Sequence, residues 1–224
     1  MLLKLLAALS LVPLANSLQA GQTVKPIAIE NGSGLELVRV VPQTVTYRGH
    51  QALRLTEAQG ANNNAIALVN DVQFQDGTIE VDVAGLPAAG SNEGARGFVG
   101  VVFRSTAHAG AYDCFYIRPT NGRADDQLRR NHSTQYVSEP AFPWQKLRAE
   151  APGVYESYAD LETGAWTHLK IELNGVRARL FVNGPAQPAL IVNDLKRGVT
   201  SGQIGLWIGP GTEAHFRGLR VTSK

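Results

Sequence analysis

The densest run of residues able to do chemistry lies between Tyr116 and Tyr136. It reads Tyr116-Ile-Arg118-Pro-Thr-Asn121-Gly-Arg123-Ala-Asp125-Asp126-Gln127-Leu-Arg129-Arg130-Asn131-His132-Ser-Thr-Gln135-Tyr136. His132 titrates near neutral pH, as general acid/base chemistry requires. Tyr136 can deliver a proton if a cation such as Arg129 or Arg118 lowers its pKa. An arginine beside a reacting group also stabilises developing enolate or carboxylate charge. His132, Tyr136 and Arg129 are therefore the catalytic candidates. The same stretch is rich in amides, carboxylates and guanidinium forks, the directional groups that sugar hydroxyls need. Tyr116, Arg118, Asn121, Arg123, Asp125, Gln135 and the nearby Arg148 form the polar binding set, with Trp144 and Tyr155 as aromatic faces for sugar C–H surfaces. The plainer alternative for the middle of the stretch is pairing of Asp125 and Asp126 with Arg129 and Arg130 at helical spacing, a solvated face worth little.

Outside this stretch, Arg104 follows the apolar run from Phe98 to Phe103 and would be costly to bury unpaired. Trp207 alternates with Leu206 and Ile208, and His215 opposes Ala214 and Phe216. If those faces coincide, Arg104, Trp207 and His215 form the floor of a groove roofed by the segment after Tyr116. Glu80-Val81-Asp82 is the one carboxylate pair at alternate strand positions. It resembles the start of the Glu-x-Asp-x-x-Glu motif of family 16 glucanases, but Gly85 stands where the last carboxylate would be. The five histidines are dispersed, without metal-ligand spacing, so no cofactor is expected; Ca2+ stays open, from Asp and Asn scattered in loops. No phosphate loop, dinucleotide fingerprint or Gly-x-Ser-x-Gly is present.

Short strands must position these residues. Thr78–Val83 alternates at period two, as does Trp166–Leu173, and Asn174-Gly175 then fits a type I′ hairpin turn before the return strand Val176–Val182. Further strands are expected at 35–41, 44–48, 51–56, 65–70, 97–105, 111–118, 188–192, 202–208 and 213–222. No segment offers 12 residues of clean helical period. The expected fold is all-β: an antiparallel two-sheet sandwich of jelly-roll type, in one domain over 21–224. Residues 119–164 read as one long loop punctuated by prolines, with at most a short helix near 125–132. Half of the 16 aromatic residues, and five of the six tyrosines, lie between Tyr112 and Tyr158. A long loop carrying so many aromatics points to a functional segment rather than disorder.

Charge and compartment narrow the partners. Lys4 followed by the apolar stretch Leu5–Ala15 and Ala15-Asn16-Ser17 reads as a secretory signal over residues 1–20. The product is expected to be secreted or periplasmic, with no membrane span. Without Lys4, 20 basic residues face 19 acidic ones, so no electrostatic footprint for nucleic acid exists. Arginine outnumbers lysine 15 to 6, which favours planar bidentate contacts. The lone Cys114 sits in a strand-like setting and reads as a buried, inert thiol.

Five segments together resemble a known superfamily: Gly77-Thr-Ile-Glu-Val-Asp-Val, Gly100-Val-Val-Phe-Arg104, Tyr112-Asp-Cys-Phe-Tyr-Ile-Arg118-Pro, Gly202-Gln-Ile-Gly-Leu-Trp-Ile-Gly and Thr212-Glu-Ala-His-Phe-Arg-Gly-Leu-Arg-Val. They resemble the concanavalin A-like lectin/glucanase superfamily, and within it the 3-keto-disaccharide hydrolase (3-keto-glycoside lyase/hydratase) domains and their laminin-G-like neighbours. The resemblance spans most of 35–222. It implies the jelly-roll fold and a carbohydrate or glycoside ligand. Three functions stay open: a binding module, an enzyme cleaving 3-keto glycosides by elimination or hydrolysis, and a structural adhesion or envelope-interaction domain. The enzyme requires His132, Tyr136 and an arginine within about 4 Å of one another. The binding module requires a shallow groove with Trp144 or Trp207 laid flat, and the structural domain requires inward aromatics and no pocket.

Overall fold

A computed structural model describes residues 24–59 and 65–224. The expected secretory signal lies outside the described residues. In chain order the strands are β1 (Val24–Pro26), β2 (Leu35–Val38), β3 (Val40–Tyr47), β4 (His50–Glu57), β5 (Ala65–Val69), β6 (Gly77–Pro87), β7 (Val99–Ser105), β8 (Tyr112–Ile117), β9 (Thr134–Glu139), β10 (Glu156–Ser157), β11 (Thr167–Asn174), β12 (Arg177–Val182), β13 (Leu190–Val192), β14 (Gln203–Ile208) and β15 (Thr212–Ser223). Among the described residues, a 3-10 turn at Ala107–Ala109 and three short α-helices interrupt them: α1 (Pro119–Gly122), α2 (Gln127–Asn131) and α3 (Trp144–Glu150). All strand pairs are antiparallel and fall into two sheets. The first runs β13-β12-β11-β6-β15-β4-β3, with β1 added on β15; the second runs β10-β9-β8-β7-β14-β5-β2. The expected all-β, two-sheet sandwich is the fold observed.

The period-two pattern explains how the sheets meet. Ile79, Val81 and Val83 of β6 and Leu169, Ile171 and Leu173 of β11 turn inward, as do Ala214 and Phe216 of β15. From the second sheet come Val99, Val101 and Phe103, with Phe115, Leu206 and Ile208. Each large side chain so buried contributes about 1.5–3 kcal/mol. The second sheet is covered on its other face as well, by Ile66, Leu68, Val102, Tyr112, Tyr116, Val137 and Trp207. That double burial is why β7 and β8 read as continuous apolar runs rather than alternating ones.

Two local expectations change. The β11–β12 turn is centred one residue later than Asn174-Gly175, because Asn174 pairs with Arg177. Gly175 then takes the first central position with φ +60°, the place where a type II′ turn requires glycine. More important, 119–164 is not one loop. It holds α1 and α2, then β9 as an integral strand of the second sheet, then α3 and the short edge strand β10. Thr134-Gln-Tyr-Val-Ser-Glu139 lacks an apolar alternation because one of its faces carries Gln135 and Glu139 to a polar rim. The expected short helix is present as α2, where the Asp126 carboxylate caps the Arg129 N–H at 3.0 Å.

Candidate functional site

The outer face of the second sheet is built in cross-strand rows. Register places Gln135 opposite Tyr116, Tyr116 opposite Gly100, Gly100 opposite Trp207 and Trp207 opposite Ile66. Gly100 matters because a Cβ there would come within 2.2 Å of the Phe115 carbonyl and 2.5 Å of the Tyr116 Cβ. With no side chain between them, the Tyr116 and Trp207 rings approach to 4.7 Å between centroids. Phe98 meets Tyr116 edge-on at 6.2 Å. These rings floor a groove of about 490 Å³, walled by Tyr112, Val137 and α3 residue Trp144 and bounded by Glu139. Burial raises the Tyr116 hydroxyl to about 12 and pushes Glu139 above the usual carboxylate range.

Beyond Tyr116 and Trp144 the face turns polar and cationic. The Arg118 guanidinium lies 4.9 Å from the Tyr116 ring centre, and that of Arg148 lies 4.6 Å from the Trp144 ring centre. Arg118 is buried and donates to the Tyr116 hydroxyl at 2.9 Å, to Gln135 Oε1 at 3.1 Å and to the His132 carbonyl at 2.8 Å. Asn121 Nδ2 donates to the same carbonyl at 3.3 Å. Arg148 grips Glu156 with Nε at 2.9 Å from Oε1 and Nη2 at 2.6 Å from Oε2. His132 Nδ1 stands 2.8 Å from Glu156 Oε2, an ion-pair separation without the alignment of a directed hydrogen bond. Burial lowers the His132 pKa, and the Arg148 and Arg118 charges push it down against the pull of Glu156. Burial and the two arginines thus favour the neutral imidazole, the form a general base needs.

Of the proposed binding residues, Tyr116, Trp144 and Trp207 line the groove itself. Arg118, Asn121, Gln135, Arg148 and the catalytic candidate His132 gather behind them. Arg129 reaches Asn121 Oδ1 at 3.5 Å and so joins the same end. Six other assignments are corrected or displaced. Tyr136 faces the core and cannot meet a ligand. Its hydroxyl donates to buried Asp113 at 2.7 Å and accepts from the Lys196 N–H, and burial pushes its pKa up. Tyr155 is buried on the same side, beside Tyr136, and donates to Asp194 at 2.6 Å. Arg104 is a structural clamp: it donates to the carbonyls of Gln75, Gly175 and Gly198 and pairs with Asp76 at 3.0 Å. His215 belongs to the outer face of the first sheet, stacked 3.6 Å from Tyr47, so it shares no floor with Trp207. Arg123 is spent on Asp160 and Glu162, and Asp125 is exposed before α2.

Glu80 and Asp82 also lie on the first sheet, where His168 bridges them at 3.4 and 2.8 Å and Arg217 pairs with Asp82 at 3.0 Å. At Gly85 a Cβ would sit 2.2 Å from the Gly97 carbonyl, so the third carboxylate of a glucanase motif has no room. Glu156, Tyr112, Phe98 and Glu139 are site residues that the sequence reading passed over. Tyr112, Cys114 and Tyr116 do alternate, which is a readable signal. Glu156 had none, since it lies in a two-residue strand. Cys114 is buried and its pKa pushed well up by burial, an inert thiol. Among the described residues, no group of three or more His, Cys, Asp or Glu side chains could hold a metal ion.

This sandwich, with its groove on one outer face, can be set against known proteins. Residues 20–222 match the 3-keto-alpha-glucoside-1,2-lyase-like domain, and the chain belongs to that family. No curated protein matches the chain. Among solved structures it is similar to carbohydrate-binding module CBM66 from Bacillus subtilis, at TM-score 0.59 and 16% identity, over 84% of this chain and 96% of that one. It is similar to peanut lectin, at TM-score 0.53 and 10% identity, over 92% and 98% of the two chains. It is also similar to a prokaryotic β-1,3-1,4-glucanase from a mouse hindgut metagenome, at TM-score 0.52 and 14% identity, over 90% and 99%. At such identities the likeness is one of fold, the concanavalin A-like jelly roll.

Proposed function

We propose that this domain engages a carbohydrate in the groove on the outer face of the second sheet, and that it does so outside the cytoplasm. One observation carries the reading: a groove floored by Phe98, Tyr116 and Trp207 and walled by Tyr112 and the partly exposed Trp144 borders directional groups, with Arg118 against the Tyr116 ring and Arg148 against the Trp144 ring, and Gln135 and His132 joined to them. Flat rings against sugar C–H faces, with forks and amides for hydroxyls, are the two halves of glycan recognition. Similarity to a carbohydrate-binding module and a lectin supports the same reading. No helix among the described residues is long and apolar enough to cross a membrane. Titration against an oligosaccharide array, read by tryptophan fluorescence, tests it. Binding is expected to weaken about tenfold in Trp144→Ala and to be kept in Trp166→Ala. Absence of any sugar ligand overturns the proposal.

A second reading rests on His132 and Glu156 and on membership of the lyase-like family. In it, neutral His132 removes the proton beside the ketone of a 3-keto glycoside. The C–H electrons form a C=C bond as the glycosidic C–O bond breaks, and the imidazolium returns the proton to the leaving oxygen. Arg118 faces the developing enolate charge. His132→Asn is then expected to abolish turnover of a 3-keto disaccharide while leaving its binding intact. Equal turnover by the variant removes this reading and leaves the first.

A further inference from the structure

The arginine cluster beside the groove, where Arg118 lies against Tyr116 and Arg148 against Trp144, holds more positive charge than neutral sugar hydroxyls call for. Arg118 donates to the His132 carbonyl, Arg129 reaches Asn121, which meets the same carbonyl, Arg148 shares Glu156 with His132, and Arg96 is close enough for its charge to act on Arg118 and Arg129. Among the described residues, Arg96 donates only to the backbone carbonyls of Glu93 and Ala95, and its pKa is lowered by burial and by the Arg129 charge. Among the described residues, Glu156 is the one carboxylate that any of these four arginines pairs with. Asp126 spends its side chain on the α2 backbone. Arg118 is buried with neutral acceptors alone. Arg129 has a buried Nε without an acceptor. Arg148 keeps its Nη1 unbonded while a third of its side chain is exposed. Gathering like charges in a half-desolvated place is costly unless something of opposite sign completes it.

We infer that the ligand is an anionic sugar, a uronate whose carboxylate seats against Arg148 and Arg129 while its ring lies on the aromatic floor. The inference rests on the carbohydrate reading of the same groove and names its substrate class. A guanidinium fork matches a planar carboxylate bidentately. Glu139 bounds the groove four residues along β9 from Gln135, roughly 13 Å away, and its negative charge disfavours the reversed orientation.

The test uses oligogalacturonate and oligoglucuronate fragments, each beside its carboxyl-reduced neutral counterpart, with a sulfated galactan oligomer as a third arm. At low ionic strength at least one uronate is expected to bind tenfold or more tightly than its neutral counterpart. That preference is expected to shrink at 0.5 M NaCl and to fall at least fivefold in Arg148→Gln. Because Arg148 also holds Glu156, Arg129→Gln is the second variant, expected to lower the preference without altering circular dichroism or thermal unfolding. Equal affinity for uronate and neutral sugar overturns the anionic inference and leaves carbohydrate binding standing. Tightest binding by the sulfated oligomer overturns the carboxylate assignment. Failure of every sugar overturns both readings.

Discussion

The two outer faces of the sandwich use charge in opposite ways. On the first sheet, charges pair with neighbours on adjacent strands: Arg54 with Glu213, Arg217 with Asp82, and His168 with Glu80 and Asp82. These pairs are partly solvated and cross neighbouring strands, as expected of a face that only has to stay in water. On the second sheet, aromatic rings are packed side by side and the arginines outnumber the carboxylates that pair with them. The first-face charges named here pair across strands, whereas on the second face Arg96, Arg118 and Arg129 have no carboxylate partner among the described residues. Net charge hides this contrast, since the chain as a whole is nearly neutral. What marks a site is local imbalance held by burial.

Four measurements can break or sharpen that contrast. The largest effect is expected from Glu156→Gln. It leaves the Arg148 charge and His132 without their carboxylate, and should cost about 2–3 kcal/mol in denaturant unfolding. A loss below 0.5 kcal/mol would put Glu156 on a par with the first sheet. Next, Trp144→Ala is expected to weaken glycan binding about tenfold, or ~1.4 kcal/mol, with little change in stability because the ring is partly exposed. Unchanged affinity by calorimetry would remove α3 from the groove.

A further effect concerns pH. Burial lowers His215 to about 4, below its unfolded value of about 6.5. Between these values the unfolded chain binds more protons than the folded one. Stability should therefore decline as pH falls from about 6.5 toward 4, and be unaffected by this group above pH 7. His215→Phe is expected to flatten that slope, and an identical slope in the variant would show that another group causes it. Smallest of all, Glu80→Gln should change stability by no more than about 0.5 kcal/mol, as exposed pairs do. A larger loss would mean that the first face is not merely solvated.

Much of the sandwich was legible before any coordinates. Period-two alternation in Thr78–Val83 and Trp166–Leu173 gave strands and faces correctly, and the apolar runs at 97–105 and 111–118 became β7 and β8. The site was legible in part. Tyr116, Arg118, Gln135, His132, Trp144, Arg148 and Trp207 do share one end of the molecule. Tyr136 was misread because its residue type suits acid/base work, while its strand parity sends it to the core. Parity could not be used until β9 was known to be a strand, and its polar rim residues concealed that.

Composition and periodicity by themselves determined the fold class, the in-or-out assignment of most strands and the neighbourhood of the groove, because these follow from local alternation. Only the tertiary structure decided that Trp207 and His215 stand on opposite faces, that Arg104 is a clamp, and that Glu156 meets His132. Those facts depend on which strands pair and in what register, and pairing is set by long-range packing that no window of sequence contains.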